Sequence, residues 1–297
     1  MTFEPIWNSL IAWYLFLAGL GAGAYITSSF LAWRHPDATS MRKTGHLIAP
    51  IAVAIGLVLL MFDAEAGLHN PLRFFYLLSN VSSVMMWGVV FLSLFMVVSI
   101  VTVVLDFMKR PVPNWLAIIG VALGACVGAY TGALLGVCQT FPLWNNALLP
   151  ILFLVSAISS GAASVLLVSI FGHAEEFNRV GVLKKFHFCL PLIELVLVAS
   201  LCFITAQTNP AGAESVANMI SGDWAVAFWL GLVFVGLILP TILEIRLLFF
   251  SSKEFEESRP AHYISAFSDA GVLVGGFLLR LIITMAAVPL TVAIPLL

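Results

Sequence analysis

VMMWGVVFLSLFMVVSIVTVVL, Val84 to Leu105, runs without one charged side chain and is closed by DFMKR, Asp106 to Arg110. A bilayer's hydrocarbon core takes roughly 20 helical residues to cross, so this run is long enough to span it. Its apolar residues are continuous, without the alternation of a lipid-facing barrel strand. A single strand in lipid would also leave its amides unpaired, whereas a helix satisfies them internally. Lys109 and Arg110 then mark one end of the helix as the side that retains positive charge.

The same reading extends in both directions. Hydrophobic residues make up 61% of the chain and charged residues 9%, with a mean hydropathy of +1.08. A soluble domain carries about one quarter charged residues, so a water-soluble globule is excluded. Eight spans are expected, at Trp7 to Trp33, Thr44 to Phe62, Val84 to Leu105, Asn114 to Gln139, Asn146 to Phe171, Phe186 to Gln207, Trp224 to Phe250 and Ala270 to Val292. The 13 Lys and Arg residues fall almost entirely in alternate gaps: Arg34, Arg42 and Lys43; Lys109 and Arg110; Arg179, Lys184 and Lys185; Arg246, Lys253 and Arg259. Arg73 and Arg280 lie outside this alternation. The odd gaps are therefore expected inside and both termini outside. The formal net charge of −2 comes with no basic stripe for nucleic acid. Glu4 before the first span, and that span's length, make it an expected retained helix and not a cleaved signal. Cys126, Cys138, Cys189 and Cys202 lack the spacing of an iron–sulfur or disulfide framework.

Helix faces narrow the functional candidates. Glycines 120, 124, 128, 132 and 136 form a four-residue stripe along the fourth span, and Gly19, Gly21 and Gly23 offer a matching surface in the first. Small residues at this spacing let backbones meet where no hydrophobic force drives helices together. Tyr130 points away from the stripe and Thr131 lies close to it. Tyr130 has two readings, an interfacial aromatic or a phenol two to three turns deep whose hydroxyl needs a partner. Glu194 and Arg280 fall at comparable depth in the sixth and eighth spans; a buried pair there is either a fixed packing device or a proton-transfer step. Glu244 and Arg246 read as a solvated helix end. At the outer end of the second span Asp63, Glu65, His69, Asn70 and Arg73 cluster, as a hydrated loop or as proton carriers beside a redox ligand. His46 and His187 sit at inner helix ends with nothing to place them on facing surfaces, so no haem is expected.

Several segments together resemble the NrfD family, the polysulfide reductase-type integral membrane subunits. They are Trp13-Tyr14-Leu15-Phe16-Leu17-Ala18-Gly19-Leu20-Gly21-Ala22-Gly23; Asn70-Pro71-Leu72-Arg73-Phe74-Phe75-Tyr76-Leu77-Leu78 with Ser82-Ser83 and Trp87-Gly88; Tyr130-Thr131-Gly132 with Pro142-Leu143-Trp144-Asn145; and Ser156-Ala157-Ile158-Ser159-Ser160-Gly161. The resemblance implies an all-α membrane protein of two four-helix bundles, residues 1–140 and 141–297. It implies a membrane anchor that exchanges electrons between a quinone, menaquinone being expected, and a ferredoxin-like iron–sulfur subunit. That partner would serve a catalytic subunit, often a molybdopterin enzyme, on the outer face of a bacterial inner membrane. The chain itself is expected to hold no haem or iron–sulfur cluster. Tyr130 matches a tyrosine that donates to the quinone head group. On the first helix some relatives carry Asn and His where this chain has Ile11 and Tyr14, which leaves Tyr14, helped by Asn8, as the expected contact there. Thr131, Glu65, His69 and Arg73 complete the expected quinone site. Asp63, Glu65, Glu194 and Arg280 are the candidate proton-transfer groups. Two other readings are a proton-conducting second bundle and a secondary transporter built on Glu194 and Arg280, the latter calling for broken helices at matching positions of the two halves.

Overall fold

A computed structural model describes residues 8–63, 82–172, 176–177, 180–250, 255 and 258–290. Among these residues the chain is helical without a strand. In order come α1 (Ser9–Arg34), α2 (Thr39–Asp63), α3 (Val84–Phe107), α4 (Asn114–Gly136), α5 (Leu148–Gly172), α6 (Gly181–Thr208), the short α7 (Pro210–Ile220), a π-helical segment (Ala227–Ile238) continuing into α8 (Leu239–Phe250), and α9 (Arg259–Met285). Eight helices, with the π segment and α8 as one, are long and apolar enough to cross a membrane. The protein is thus a multi-pass membrane protein, and side chains such as Val97, Phe203 and Val196 face outward as expected where lipid replaces water.

α1 sits at the centre. Its apolar window is 72% buried, against 28% for α3, because it packs on α2, α4, α5 and α9 together. Small residues permit this. Gly23 lies against the Ala157 backbone, and Gly161 of α5 meets Gly23 in return; a Cβ on Gly21 would stand 2.6 Å from the Ala49 carbonyl of α2. The expected mating of the α4 stripe with α1 holds only in part. Gly120 faces the Tyr25 ring and Gly124 faces Ala22, but Gly132 meets the Leu149 and Pro150 backbone of α5, and Gly136 has little against it. α4 crosses from one neighbour to another along its length, so no single partner covers the stripe.

The ends carrying Arg34, Arg42, Lys43, Lys109, Lys184, Arg246 and Arg259 are brought to one side. Glu176, between α5 and α6, accepts the backbone N–H groups of Ser40 (2.9 Å) and Met41 (3.0 Å), placing a carboxylate at the positive N-terminus of α2. Span boundaries agree within a turn or so except at the last, where α9 begins at Arg259 and not Ala270. Ser258 caps it, accepting from the Ala261 N–H, and Pro260 occupies its first turn, a start signal set in a stretch too polar for a hydropathy reading. Asn209 likewise caps α7 ahead of Pro210. Trp144 is buried, and its indole donates to the Ile283 carbonyl at 2.7 Å.

Candidate functional site

Two regions hold the expected residues. In the first, α1, α3 and α4 place Tyr14 and Tyr130 in one apolar cluster with Ile11, Leu15, Leu92 and Val127. Tyr14 is 2% exposed and Tyr130 8%, and the two phenols are within electrostatic reach of each other. Tyr130 occupies the space over Gly88 of α3, where any Cβ would collide with its ring. The family-like Trp87-Gly88 pair thereby has a physical reason: the glycine is a slot for the tyrosine.

The other residues expected here divide. Asn8 caps α1, its side chain accepting from the Leu10 N–H at 2.8 Å. Ile11 is buried. Thr131 donates to the Gly128 carbonyl of its own helix at 2.7 Å, so its hydroxyl proton is committed inside α4. Asp63 is the last residue of α2 and half-buried. Glu65, His69, Asn70 and Arg73 lie outside the described residues.

The second region centres on Arg280. It is fully buried where α1, α5 and α9 meet. One guanidinium nitrogen donates to the Ser156 hydroxyl (3.0 Å) and the Gly276 carbonyl (2.7 Å), the other to the Phe153 carbonyl (3.4 Å). Phe16 and Phe153 flank it. A Cβ at Gly19 would come within 2.9 Å of its Nη2, so the small residue of α1 makes room for the charge. The expected contact between Glu194 and Arg280 takes a different form. Both are buried and attract one another, with the hydroxyls of Ser156 and Ser159 beside the carboxylate, yet no nitrogen–oxygen approach of 4.0 Å joins them. Ser156 stands as intermediary, because the α5 backbone already claims the guanidinium face.

Glu244 and His187, placed at helix ends by the sequence, and Asp269, not singled out by it, also belong to this region. Glu244, expected as a solvated end, is 4% exposed and accepts from the Ser265 hydroxyl at 3.3 Å. Asp269 is fully buried, its Oδ1 3.9 Å from Nδ1 of His187, too long for a hydrogen bond. His187 lies beside the Ser159 backbone. Lys184 is close enough to act electrostatically on both Glu244 and Asp269. Named from the basic side inward, Lys184, Glu244, Asp269, His187, Ser159, Glu194, Ser156 and Arg280 form a succession of neighbours on α5, α6, α8 and α9. The Ser258-Arg259-Pro260 cap would have drawn Asp269 into a span and exposed it as an intramembrane carboxylate.

Comparison with known proteins covers nearly the whole sequence. The family described as polysulphide reductase, NrfD, matches residues 1–293. A polysulfide reductase component of Wolinella succinogenes is 36% identical over 82% of this protein and 84% of its own length. A protein NrfD homolog of Haemophilus influenzae is 30% identical over 97% and 96%. A selenate reductase component of Mesobacillus selenatarsenatis is 26% identical over 82% and 67%.

Proposed function

The chain belongs to the NrfD family, and on that premise we propose that it is the membrane anchor subunit of a respiratory reductase complex in the bacterial inner membrane. In this reading it exchanges electrons between membrane quinol, menaquinol foremost, and an iron–sulfur subunit outside the membrane. That subunit relays them to a catalytic subunit, a molybdopterin enzyme. Relatives named as components of polysulfide and selenate reductases support the role. The two halves are two four-helix bundles, α1 to α4 (residues 1–140) and α5 to α9 (residues 141–297), with both termini on the periplasmic side; the neighbour relations α1–α2, α2–α3, α3–α4 and α4–α1 support the first as a closed ring.

The observation that carries the quinone assignment is the pair of buried phenols in an apolar cluster. A phenol in such surroundings needs an acceptor, and no hydrogen bond between either phenol and another described side chain occupies it. Two phenol donors within electrostatic reach of one another suit the carbonyl oxygens of a quinone head group, and Gly88 fixes the position of the Tyr130 ring. A bound quinone would supply a two-electron, two-proton couple. Tyr14 and Tyr130 orient it, the surrounding Leu and Val side chains exclude water, and Asp63 at the end of α2, with Glu65, His69 and Arg73 beyond it, would carry protons and balance charge. Tyr130→Phe tests this in the assembled complex. Quinol-linked turnover should fall about tenfold or more, the cost of one hydrogen bond to a developing charge, with subunits still co-purifying; unchanged kinetics would remove Tyr130 from the site.

The polar succession ending at Arg280 favours a second, compatible reading in which the second bundle translocates protons. Glu194→Gln should then lower proton release per electron in sealed vesicles while leaving electron transfer in uncoupled membranes intact. A stoichiometry equal to the parent's would count against it. A transporter is the less supported alternative, since among the described residues the π-helical segment Ala227–Ile238 has no counterpart in the first half, and co-purification of an iron–sulfur subunit would set it aside.

A further inference from the structure

At the basic ends of α2 and α3, far along the bundle from Tyr130, a cavity of about 420 Å³ opens between the two helices. Lys43, Lys109 and Asp106 line it together with the apolar Leu47, Val103 and Phe107. The charges are unevenly satisfied. Asp106 is already engaged by Nδ1 of His46 at 2.6 Å and by Arg42 at 3.5 Å. Neither lysine has a carboxylate within 4.0 Å among the described residues. Two cations thus look onto a cavity whose only acid is neutralised by other partners.

Backbone geometry adds a separate observation. α3 ends with the Arg110 N–H bonded to the Leu105 carbonyl at 3.0 Å, a closure that puts the intervening Lys109 at φ 55°. That left-handed position ordinarily goes to glycine, and a residue with a Cβ is disfavoured there. The chain keeps a strained lysine where glycine would fit, and the strained residue is the one that lines the cavity. Such strain is a pointer to function.

We propose that this cavity binds one acidic phospholipid, its phosphodiester held between Lys43 and Lys109. Depth and shape fit such an occupant. The site is at the membrane surface where positive charge collects, its volume suits a headgroup with the start of its chains, and basic pockets between spans at this level attract anionic headgroups. Leu47 continues as Ile51 and Ile55 at four-residue spacing along α2, all exposed, a groove in which an acyl chain can lie. Occupancy would fill the loose inner contact between α2 and α3.

Native mass spectrometry of the full-length protein in detergent, titrated with phosphatidylglycerol or phosphatidylcholine, tests the proposal. One phosphatidylglycerol should be retained in preference to phosphatidylcholine. The double variant K43Q/K109Q should bind it about thirtyfold more weakly, while K185Q, which removes a lysine of the same side away from the cavity, should bind as the parent does. Lys109→Gly separates ligand from fold: it should melt at a higher temperature because the strain is relieved, and yet lose phosphatidylglycerol. Parent-like retention by K43Q/K109Q or by K109G, equal binding of phosphatidylcholine, or displacement by millimolar inorganic phosphate, which would make the site one for a free anion, would each overturn it.

Discussion

The two halves of the molecule treat a buried histidine–aspartate pair in opposite ways. In the first half His46 meets Asp106 at 2.6 Å and Tyr25 meets Thr102 at 3.0 Å, although the Ser28 and Ser29 hydroxyls and Nε of Arg42 have no hydrogen-bond partner among the described residues. In the second half the corresponding pair is loose. Both Asp269 oxygens, Nε2 of His187 and Nε of Arg280 have no hydrogen-bond partner among the described residues, and the Asp269 to His187 distance is 3.9 Å. Closed pairs in a low-dielectric interior hold helices in register. Groups left under-satisfied are costly, and a protein that keeps several of them on two packed helices is organised for something other than stability.

The largest effect expected from breaking this contrast is at Arg280. Arg280→Ala removes the cation facing Glu194 and the donors to Ser156, Gly276 and Phe153; stability should fall by about 3–5 kcal/mol, seen as loss of folded protein in detergent, with partial rescue by Lys. Next comes a matched pair. Asp106→Asn opens a closed pair and should cost about 1.5–3 kcal/mol, whereas Asp269→Asn removes a buried carboxylate without a firm partner and should leave the thermal midpoint equal or higher. Equal losses at the two positions would erase the distinction between the halves. Within the first half, Tyr25→Phe should cost about 1 kcal/mol with quinol-linked turnover intact, the reverse of what is expected at Tyr130. The smallest change is Trp144→Phe, which gives up the 2.7 Å bond to Ile283 for about 1 kcal/mol or less and should be visible only as a small shift in the unfolding midpoint.

Much of the candidate site is legible in the sequence. Tyr130 is singled out by its depth and its place off the glycine stripe, and Glu194 and Arg280 by the cost of charge in lipid. Glu244 and Asp269 are not, for related reasons. Each sits in a helical stretch where hydropathy averages over polar neighbours, and burial there depends on which helix lies alongside: α9 covers Glu244 through Ser265, and α6 covers Asp269 through His187. Asn8 and Thr131 have the right chemistry, but the backbone takes the acceptor of one and the donor of the other.

Sequence alone determined what depends on summed local quantities: eight apolar segments, the gathering of positive charge at alternate ends, and the ordered segments that mark the family. Each of the first two is a free energy of transfer between water and lipid, added residue by residue, and needs no knowledge of neighbours. Only the tertiary structure decided which surfaces meet. Gly23 against Ala157, Gly88 under Tyr130, Ser156 between Arg280 and Glu194, and the inward turn of Trp144 all follow from how helices rotate and cross. Helices in lipid choose partners by close packing and hydrogen bonding, terms that exist only once two segments are side by side.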